Sequence, residues 1–116
     1  MRRGDIWTVS GAADYAGKPR PAVIVQDDSF AATASVTICA FTTDETEAPL
    51  FRLLIEPNEV NGLRSSCRLM VDKITTVSRA KLGRQVGRLS DEDMLRLNRA
   101  MVVFLGIGSG ARRSAR

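Results

Sequence analysis

Short apolar runs alternate with polar stretches rich in glycine, proline and aspartate along most of this chain. Runs of this length that hold many β-branched residues and are bounded by turn signals are typical of strands. Six strands are predicted on this pattern, at residues 4–9, 21–26, 35–42, 51–56, 68–77 and 85–89. Between them, Asn61-Gly62 is a turn signal, and Ser78 can cap a short helical turn over residues 79–82.

One stretch near the C-terminus has helical periodicity instead. Ser90 is the expected N-cap, and the acidic residues that follow it match the positive end of the helix dipole. Apolar residues recur on one face, which is expected to pack on the sheet: Met94, Leu97, Met101, Phe104 and Leu105. Gly106 is expected to end the helix. Val102 and Val103 widen the apolar face near this end, which makes it a candidate contact for a second copy of the protein.

These elements predict a mainly β fold with one C-terminal helix, in which a strongly bent antiparallel sheet forms a small barrel. The 116 residues suffice for one domain, placed at residues 1–107, and residues 108–116 are expected to be a flexible basic tail. No apolar run has the roughly 18 residues that span a membrane, and the N-terminus lacks the apolar segment of a signal peptide. A cytoplasmic protein without a membrane partner is therefore expected.

The net charge, the absence of histidine and the small number of cysteines limit the kinds of chemistry that this chain can perform. The net charge of +4 owes most of its excess to Arg112, Arg113 and Arg116 in the tail, so it is weak support for a nucleic-acid partner. The chain has no histidine, which excludes the usual general base and the usual metal ligand. Cys39 and Cys67 are interpreted as small core residues without a disulfide. No metal site and no cofactor are predicted.

Arg20 is the most distinctive candidate. It lies between Pro19 and Pro21, which fix the turn and hold Arg20 in an extended conformation at the start of an apolar strand. A guanidinium with so little backbone freedom suits the recognition of a phosphate or carboxylate. An ordinary loop arginine is the alternative that this local pattern leaves open.

Six motifs, in this order and spacing, resemble the MazF/PemK family of toxins. They are Arg3-Gly4-Asp5-Ile6-Trp7, the run at 18–28, Ala40-Phe41-Thr42-Thr43, Asn61-Gly62-Leu63, the run at 68–74 and Gly87-Arg88-Leu89-Ser90. The resemblance covers residues 2 to 107. It implies an SH3-like barrel that forms homodimers, as in MazF, PemK and CcdB toxins.

The resemblance also implies a function. Members of the family are endoribonucleases, or mRNA interferases, that cleave single-stranded mRNA at short sequences without a metal. Their products are 2′,3′-cyclic phosphate and 5′-hydroxyl ends. Each is neutralised by an antitoxin whose acidic, flexible C-terminal segment occupies the RNA groove, and contact with DNA is expected only through that complex. The catalytic arginine of the family falls on Arg20, and its catalytic threonine falls on Thr42.

These two residue types suit the chemistry, because RNA supplies its own nucleophile, the 2′-hydroxyl. Arg20 can stabilise the charge that develops on the phosphate oxygens, and Thr42 can donate a hydrogen bond to one of them or orient the 2′-hydroxyl. Arginine stays protonated, so it is a poor proton acceptor, and the general base stays open. Asp27 and Asp72 are candidates by residue type only, and a structural hydrogen-bonding role is favoured for both.

The loops at residues 10–19, 27–34, 43–50 and 57–66 are expected to choose the RNA sequence, since single-stranded RNA is read by stacking and base-edge contacts. The predicted RNA-binding residues are Tyr15, Lys18, Gln26, Phe30, Thr43, Arg64 and Arg68. Tyr15 and Phe30 are placed there for stacking, with partial packing as the alternative. The acidic loop at residues 44–47 would repel RNA unless its carboxylates point away from the site.

Two other function classes remain open at this point. A CcdB-like toxin shares the expected fold but poisons DNA gyrase by protein binding, and it needs no pair of Arg20 and Thr42. A small barrel can also be a non-catalytic module that binds RNA or protein. Cleavage of single-stranded RNA in EDTA separates all three.

Overall fold

The computed structural model describes residues 1–11 and 18–109. Its strands are β1 (Asp5–Val9), β2 (Arg20–Ile24), β3 (Ser35–Thr42), β4 (Arg52–Ile55), β5 (Cys67–Met70), β6 (Thr75–Ser78) and β7 (Leu82–Arg88), followed by the helix α1 (Asp91–Leu105). The predicted mainly β fold with one C-terminal helix is confirmed. Tyr15 and most of the predicted tail lie outside the described residues.

All of the strands belong to one antiparallel sheet. Its order is β4-β5-β3-β2-β1-β7, and β6 pairs with the first half of β3. The long strand β3 is the centre of this arrangement, because it pairs with β2, β5 and β6. The path leaves β4 and β7 as its two ends.

Side chains of the sheet are buried on both faces. Alternate residues such as Val23, Cys39 and Phe41 join Leu97 of α1 in one core. The intervening residues, including Ala22 and Ile38, form a second core on the other face. This double burial explains why β2 has a continuous apolar run rather than a polar and apolar alternation.

The predicted strand at residues 68–77 is wrong as a single element. It is two strands, β5 and β6, separated by a 3-10 turn over Val71–Lys73. Both strands pair with β3, but Phe41 faces Leu69 whereas Ile38 faces Thr75, so the turn inserts three extra residues into the ladder. The insertion buries Val71 in the main core, and it lets Asp72 form an ion pair with Arg52.

The ends of the other elements agree closely with the predictions. Ser90 caps α1 by accepting a hydrogen bond from the Asp93 amide, and Gly106 ends it with a positive φ of 74°. Ser78 caps the 3-10 turn Arg79–Lys81 by accepting from the Ala80 amide. The last strand starts at Leu82, three residues before its predicted start. None of the helices in the described part of the chain is both long and apolar enough to span a membrane.

Both cysteines are free and buried, as predicted. Burial raises the pKa of the Cys39 thiol to about 12 and that of the Cys67 thiol to about 11. Neither thiol is therefore a thiolate at physiological pH, and both act as small core side chains.

Candidate functional site

A cavity of about 360 Å³ opens at one end of the sheet, where β2 begins and β3 ends. We call it the arginine cavity, because three of its lining residues are arginines. The lining residues are Thr8, Pro19, Arg20, Pro21, Phe41, Thr42, Thr43, Gly62, Leu63, Arg64, Ser65, Cys67, Arg84 and Val86. They come from five strands, β1, β2, β3, β5 and β7, from the residues next to β2 and β3, and from the loop that precedes β5.

The register of the sheet brings Arg20 and Thr42 together. In the ladder between β2 and β3, Ala22 faces Ala40 and Ile24 faces Ile38. Arg20 and Thr42 lie two residues beyond this ladder, at the start of β2 and the end of β3. Side chains alternate between the two faces of a strand, so a step of two residues returns both side chains to the face that Ala22 and Ala40 share. The two residues that the sequence analysis singled out therefore line one wall of the cavity.

Arg20 is held at the cavity mouth by its backbone. It is the first residue of β2 and pairs with Val9 of β1. Its side chain is exposed, and among the described residues it has no hydrogen-bond or ion-pair partner. A fixed backbone with an accessible guanidinium is the arrangement that binds an incoming anion.

Thr42 has a defined hydroxyl orientation. Its Oγ1 accepts a hydrogen bond of 3.1 Å from the Asp44 amide. One lone pair is thus occupied, and the hydroxyl proton is left to donate to another acceptor. Next to a guanidinium, the acceptor that fits is an oxygen of a phosphate group.

The acidic loop after β3 directs two of its carboxylates to partners outside the cavity lining. Asp44 accepts hydrogen bonds from the amide and hydroxyl of Thr46, which hold the pKa of its carboxyl below the ordinary value. Glu47 forms an ion pair of 3.1 Å with Arg68. None of the described residues that line the cavity is acidic. The local field in the cavity is therefore positive and favours a polyanion.

The predicted RNA-binding residues fall into two groups. Thr43 and Arg64 line the arginine cavity with Arg20 and Thr42. Of the other described members, Lys18 is exposed two residues before Arg20, and Arg68 lines a separate hollow with Glu47. Their roles stay predictions.

Gln26 and Phe30 lie together, away from the cavity lining. The Gln26 side chain donates to the Phe30 carbonyl at 2.9 Å and accepts from the Thr37 amide at 3.0 Å. These bonds fix the turn after β2, so the structure accounts for Gln26 as a turn-forming residue. Phe30 is 59% exposed on the same turn.

Both carboxylates considered as general bases have structural partners. Asp72 accepts two hydrogen bonds from Arg52, at 2.8 and 3.1 Å, and these lower the pKa of its carboxyl. Asp27 caps the turn at Ser29, whose hydroxyl and amide lower the pKa of Asp27. Neither lines the cavity, which agrees with the structural role favoured for both.

Two polar residues of the cavity wall were not predicted as site residues from the sequence, Thr8 on β1 and Arg84 on β7. The predicted turn covers residues 79–82 and the predicted last strand begins at Gln85, so Arg84 belongs to neither predicted element. The alternation of inward and outward side chains along β7 does not predict the direction of Arg84, because the pairing of β1 with β7 is irregular at this point. In the part of the chain that the structure describes, no cluster of three or more histidine, cysteine, aspartate or glutamate side chains could hold a metal ion.

Comparison with known proteins decides the family. Residues 2–105 match the family model described as PemK-like, MazF-like toxin of type II toxin-antitoxin system. The chain belongs to the PemK/MazF toxin family. Its members include a protein of Mycolicibacterium smegmatis named "Probable endoribonuclease MazF", which is 56% identical over 107 residues, or 92% of this chain and 98% of that protein.

Solved structures of the PemK/MazF type share the fold. One is a mycobacterial endoribonuclease in complex with its cognate antitoxin, with a TM-score of 0.73 and 22% identity over 92% of this chain and 96% of that chain. Another is MazF in a MazE–MazF complex from Deinococcus radiodurans, with a TM-score of 0.74 and 16% identity over 91% and 96%. The fold expected from the family resemblance is thereby confirmed.

Proposed function

We propose that this chain is the toxin of a type II toxin–antitoxin pair and an endoribonuclease that cleaves single-stranded mRNA in the cytoplasm. The observation that supports this most directly is the arginine cavity, in which Arg20 and Thr42 lie on neighbouring strands in a chain of the PemK/MazF family. The CcdB-like alternative is not favoured, because the family match is to the PemK/MazF type and gyrase binding needs no such pair.

The reaction uses the 2′-hydroxyl of the RNA as the nucleophile. A new bond forms between O2′ and phosphorus, and the bond from phosphorus to O5′ of the next nucleotide breaks. The products are a 2′,3′-cyclic phosphate and a 5′-hydroxyl. O2′ loses its proton to an acceptor, and O5′ gains one from a donor, so the overall charge balances.

Arg20 and Thr42 stabilise the pentacoordinate phosphorane of this reaction. The Arg20 guanidinium offers two parallel N–H donors to the nonbridging oxygens, which gain negative charge as O2′ attacks. Thr42 donates its free hydroxyl proton to one of the same oxygens. The Arg20 backbone and the Thr42 hydroxyl are both fixed before RNA arrives, which limits the reorganisation that the reaction requires. A guanidinium can donate a proton toward O5′ but is unsuited to accept one from O2′.

A cleavage mechanism without a metal ion fits the cavity. Its three arginines carry the positive charge that a divalent cation supplies in metal-dependent nucleases. We therefore propose that the enzyme needs no cofactor and remains active when divalent ions are removed.

The same cavity suits an acidic antitoxin segment. An extended peptide with several carboxylates would contact the guanidiniums that otherwise bind RNA phosphates, since both are anions. We propose that the antitoxin inhibits by competing with RNA for the arginine cavity. DNA is contacted only by the toxin–antitoxin complex in this account.

Homodimerisation is the remaining part of the proposal. The end of α1, the turn that follows it and the turn before β4 expose large apolar side chains, and Leu50 and Val103 line one hollow. We call this surface the apolar helix end: Leu50, Val102, Val103, Phe104, Leu105 and Ile107. Leu50, Val103 and Ile107 are 74%, 64% and 69% exposed. A contiguous apolar surface at one site indicates a protein partner, and a second copy is the one we propose.

The function is tested by incubating the protein with a long single-stranded RNA in EDTA and sequencing the cut ends. We expect cleavage at a short recurring sequence. Arg20→Ala and Thr42→Ala should each lower the rate about 100-fold or more, as does the loss of a preorganised donor to a developing oxyanion. Arg2→Ala is the matched control, because the Arg2 side chain is 80% exposed and does not line the cavity. Undiminished cleavage by Arg20→Ala, or a requirement for magnesium, would refute the mechanism.

A further inference from the structure

The first and last strands meet irregularly at the wall of the arginine cavity. Trp7 faces Gln85 and Val9 faces Leu82, so Gly83 and Arg84 both stand opposite the single residue Thr8. Two residues opposite one form a β-bulge, which bends the strand and changes the direction of its side chains. Such bulges are enriched next to functional sites.

The side chain of Thr8 holds this bulge in place. Its Oγ1 accepts a 3.0 Å hydrogen bond from the Arg84 amide. A Cβ atom on Gly83 would lie 2.3 Å from the same oxygen, so no larger residue fits at position 83 without a shift. Thr8, Gly83 and Arg84 therefore form one unit, although they are far apart in the sequence.

The bulge places Arg84 in the arginine cavity. The Arg84 side chain is exposed and lines the cavity with Arg20 and Arg64. In the sheet order, β1 separates β7 from β2, so the backbones of Arg84 and Arg20 lie two interstrand spacings apart, about 10 Å. This separation suits a contact with a phosphate next to the scissile one rather than with the scissile phosphate itself.

We infer that Arg84 is an RNA-binding residue that contacts a backbone phosphate flanking the cleaved bond, and that Thr8 is its positioning residue. The inference rests on the proposed ribonuclease function and extends it to residues that the family motifs did not include. Arg84 contributes affinity through charge, because a phosphate contact is independent of the base. It is not expected to change the sequence that is cleaved.

The test measures binding of an uncleavable probe, a 2′-O-methyl RNA oligonucleotide that contains the cleaved sequence, at a series of KCl concentrations. For Arg84→Gln, we expect weaker binding and a slope of log K against log salt that is smaller by about 0.7, the value for one phosphate contact on a single strand. The control is Arg88→Gln, which removes an equal charge from an exposed position on the same strand outside the cavity lining. Its slope should equal that of the wild type.

Cleavage kinetics provide a second readout. Arg84→Gln should raise KM with kcat nearly unchanged and should leave the cleaved sequence as it is, since it removes a contact made equally in the ground and transition states. A wild-type salt slope in Arg84→Gln would overturn the inference, and so would a changed cleavage sequence. A fall in kcat without a change in KM would instead move Arg84 to the scissile phosphate and also overturn it.

The positioning role of Thr8 is tested by a double-mutant cycle. Thr8→Val keeps the shape of the side chain but removes the acceptor for the Arg84 amide. We expect it to weaken probe binding in the wild-type background and to have no further effect in the Arg84→Gln background, with thermal unfolding confirming that each variant is folded. A full effect of Thr8→Val in both backgrounds would show that Thr8 acts independently of Arg84, against the inference.

The two levels of the proposal fail in different ways. If the wild-type protein neither binds the probe nor cleaves RNA, the ribonuclease function fails and the inference with it. If the wild type binds and cleaves while Arg84→Gln and Arg88→Gln have the same salt slope, only the role of Arg84 is refuted.

Discussion

Thr42 accepts a hydrogen bond from the Asp44 amide, and this single contact decides what its hydroxyl can do. With one lone pair occupied, the hydroxyl is oriented to donate its proton. Arg20, its neighbour across the strands, can only donate as well. Both members of the pair are therefore suited to stabilise negative charge, and neither is suited to take the proton of the 2′-hydroxyl.

At the same scale, the ion pair between Arg52 and Asp72 has a structural role that can be measured. Asp72→Asn should lower the free energy of unfolding by about 1–3 kcal/mol at neutral pH, because hydrogen bonds to charged groups contribute this much. The two side chains are only 13% and 21% exposed, so solvent screens them little. Chemical denaturation provides the measurement, and Glu45→Gln in an exposed loop is the control, with an expected change within about 0.5 kcal/mol.

The difference in unfolding free energy between the wild type and Asp72→Asn should depend on pH in a definite direction. Arg52 lowers the folded-state pKa of Asp72 below its unfolded value, so the stabilisation is present above the unfolded pKa, about 3.9, and is lost as the pH falls through the folded pKa. The wild type and Asp72→Asn should thus converge in stability at strongly acidic pH. If the stability difference between the two proteins were the same at neutral and strongly acidic pH, the ion pair would not be the source of that difference.

At the scale of the elements, sequence patterns predicted most of the strands and the whole of α1. The helix was predictable because its N-cap at Ser90 and its C-terminal Gly106 are local signals that the structure uses directly. The break between β5 and β6 was not, because no glycine or proline marks it. Burial of Val71 and pairing of Asp72 with Arg52 cause the turn, and both contacts depend on residues distant in the chain.

The residues of the candidate site likewise include some that sequence patterns predicted and some that they did not. Proline restraint and family motifs pointed to Arg20 and Thr42, and both residues line the arginine cavity. Arg84 could not be found by pattern, because its direction depends on a bulge that forms only when Gly83 packs on Thr8. Gln26 appeared in a matched motif, yet its side chain is engaged in the turn at Phe30.

At the scale of the whole molecule, the apolar helix end predicts the oligomeric state. Light scattering should give a mass about twice the 12.6 kDa of one chain. Val103→Asp should shift the protein toward the monomer, because it would bury an unpaired charge in the contact. Val60→Asp changes an apolar residue that is 41% exposed on a distant turn, and it should leave the mass unchanged. A monomeric wild type, or a dimer unaffected by Val103→Asp, would remove this surface as the dimer contact.

The central claim is that the arginine cavity cleaves RNA through the RNA's own 2′-hydroxyl. The most direct test uses two oligonucleotides that contain the cleaved sequence and differ only by a 2′-deoxy substitution at the nucleotide 5′ to the scissile bond. The account predicts that wild-type protein binds both with similar affinity, cleaves the unmodified one to a 2′,3′-cyclic phosphate and a 5′-hydroxyl, and leaves the deoxy bond intact. Cleavage of the deoxy bond at the unmodified rate would contradict it.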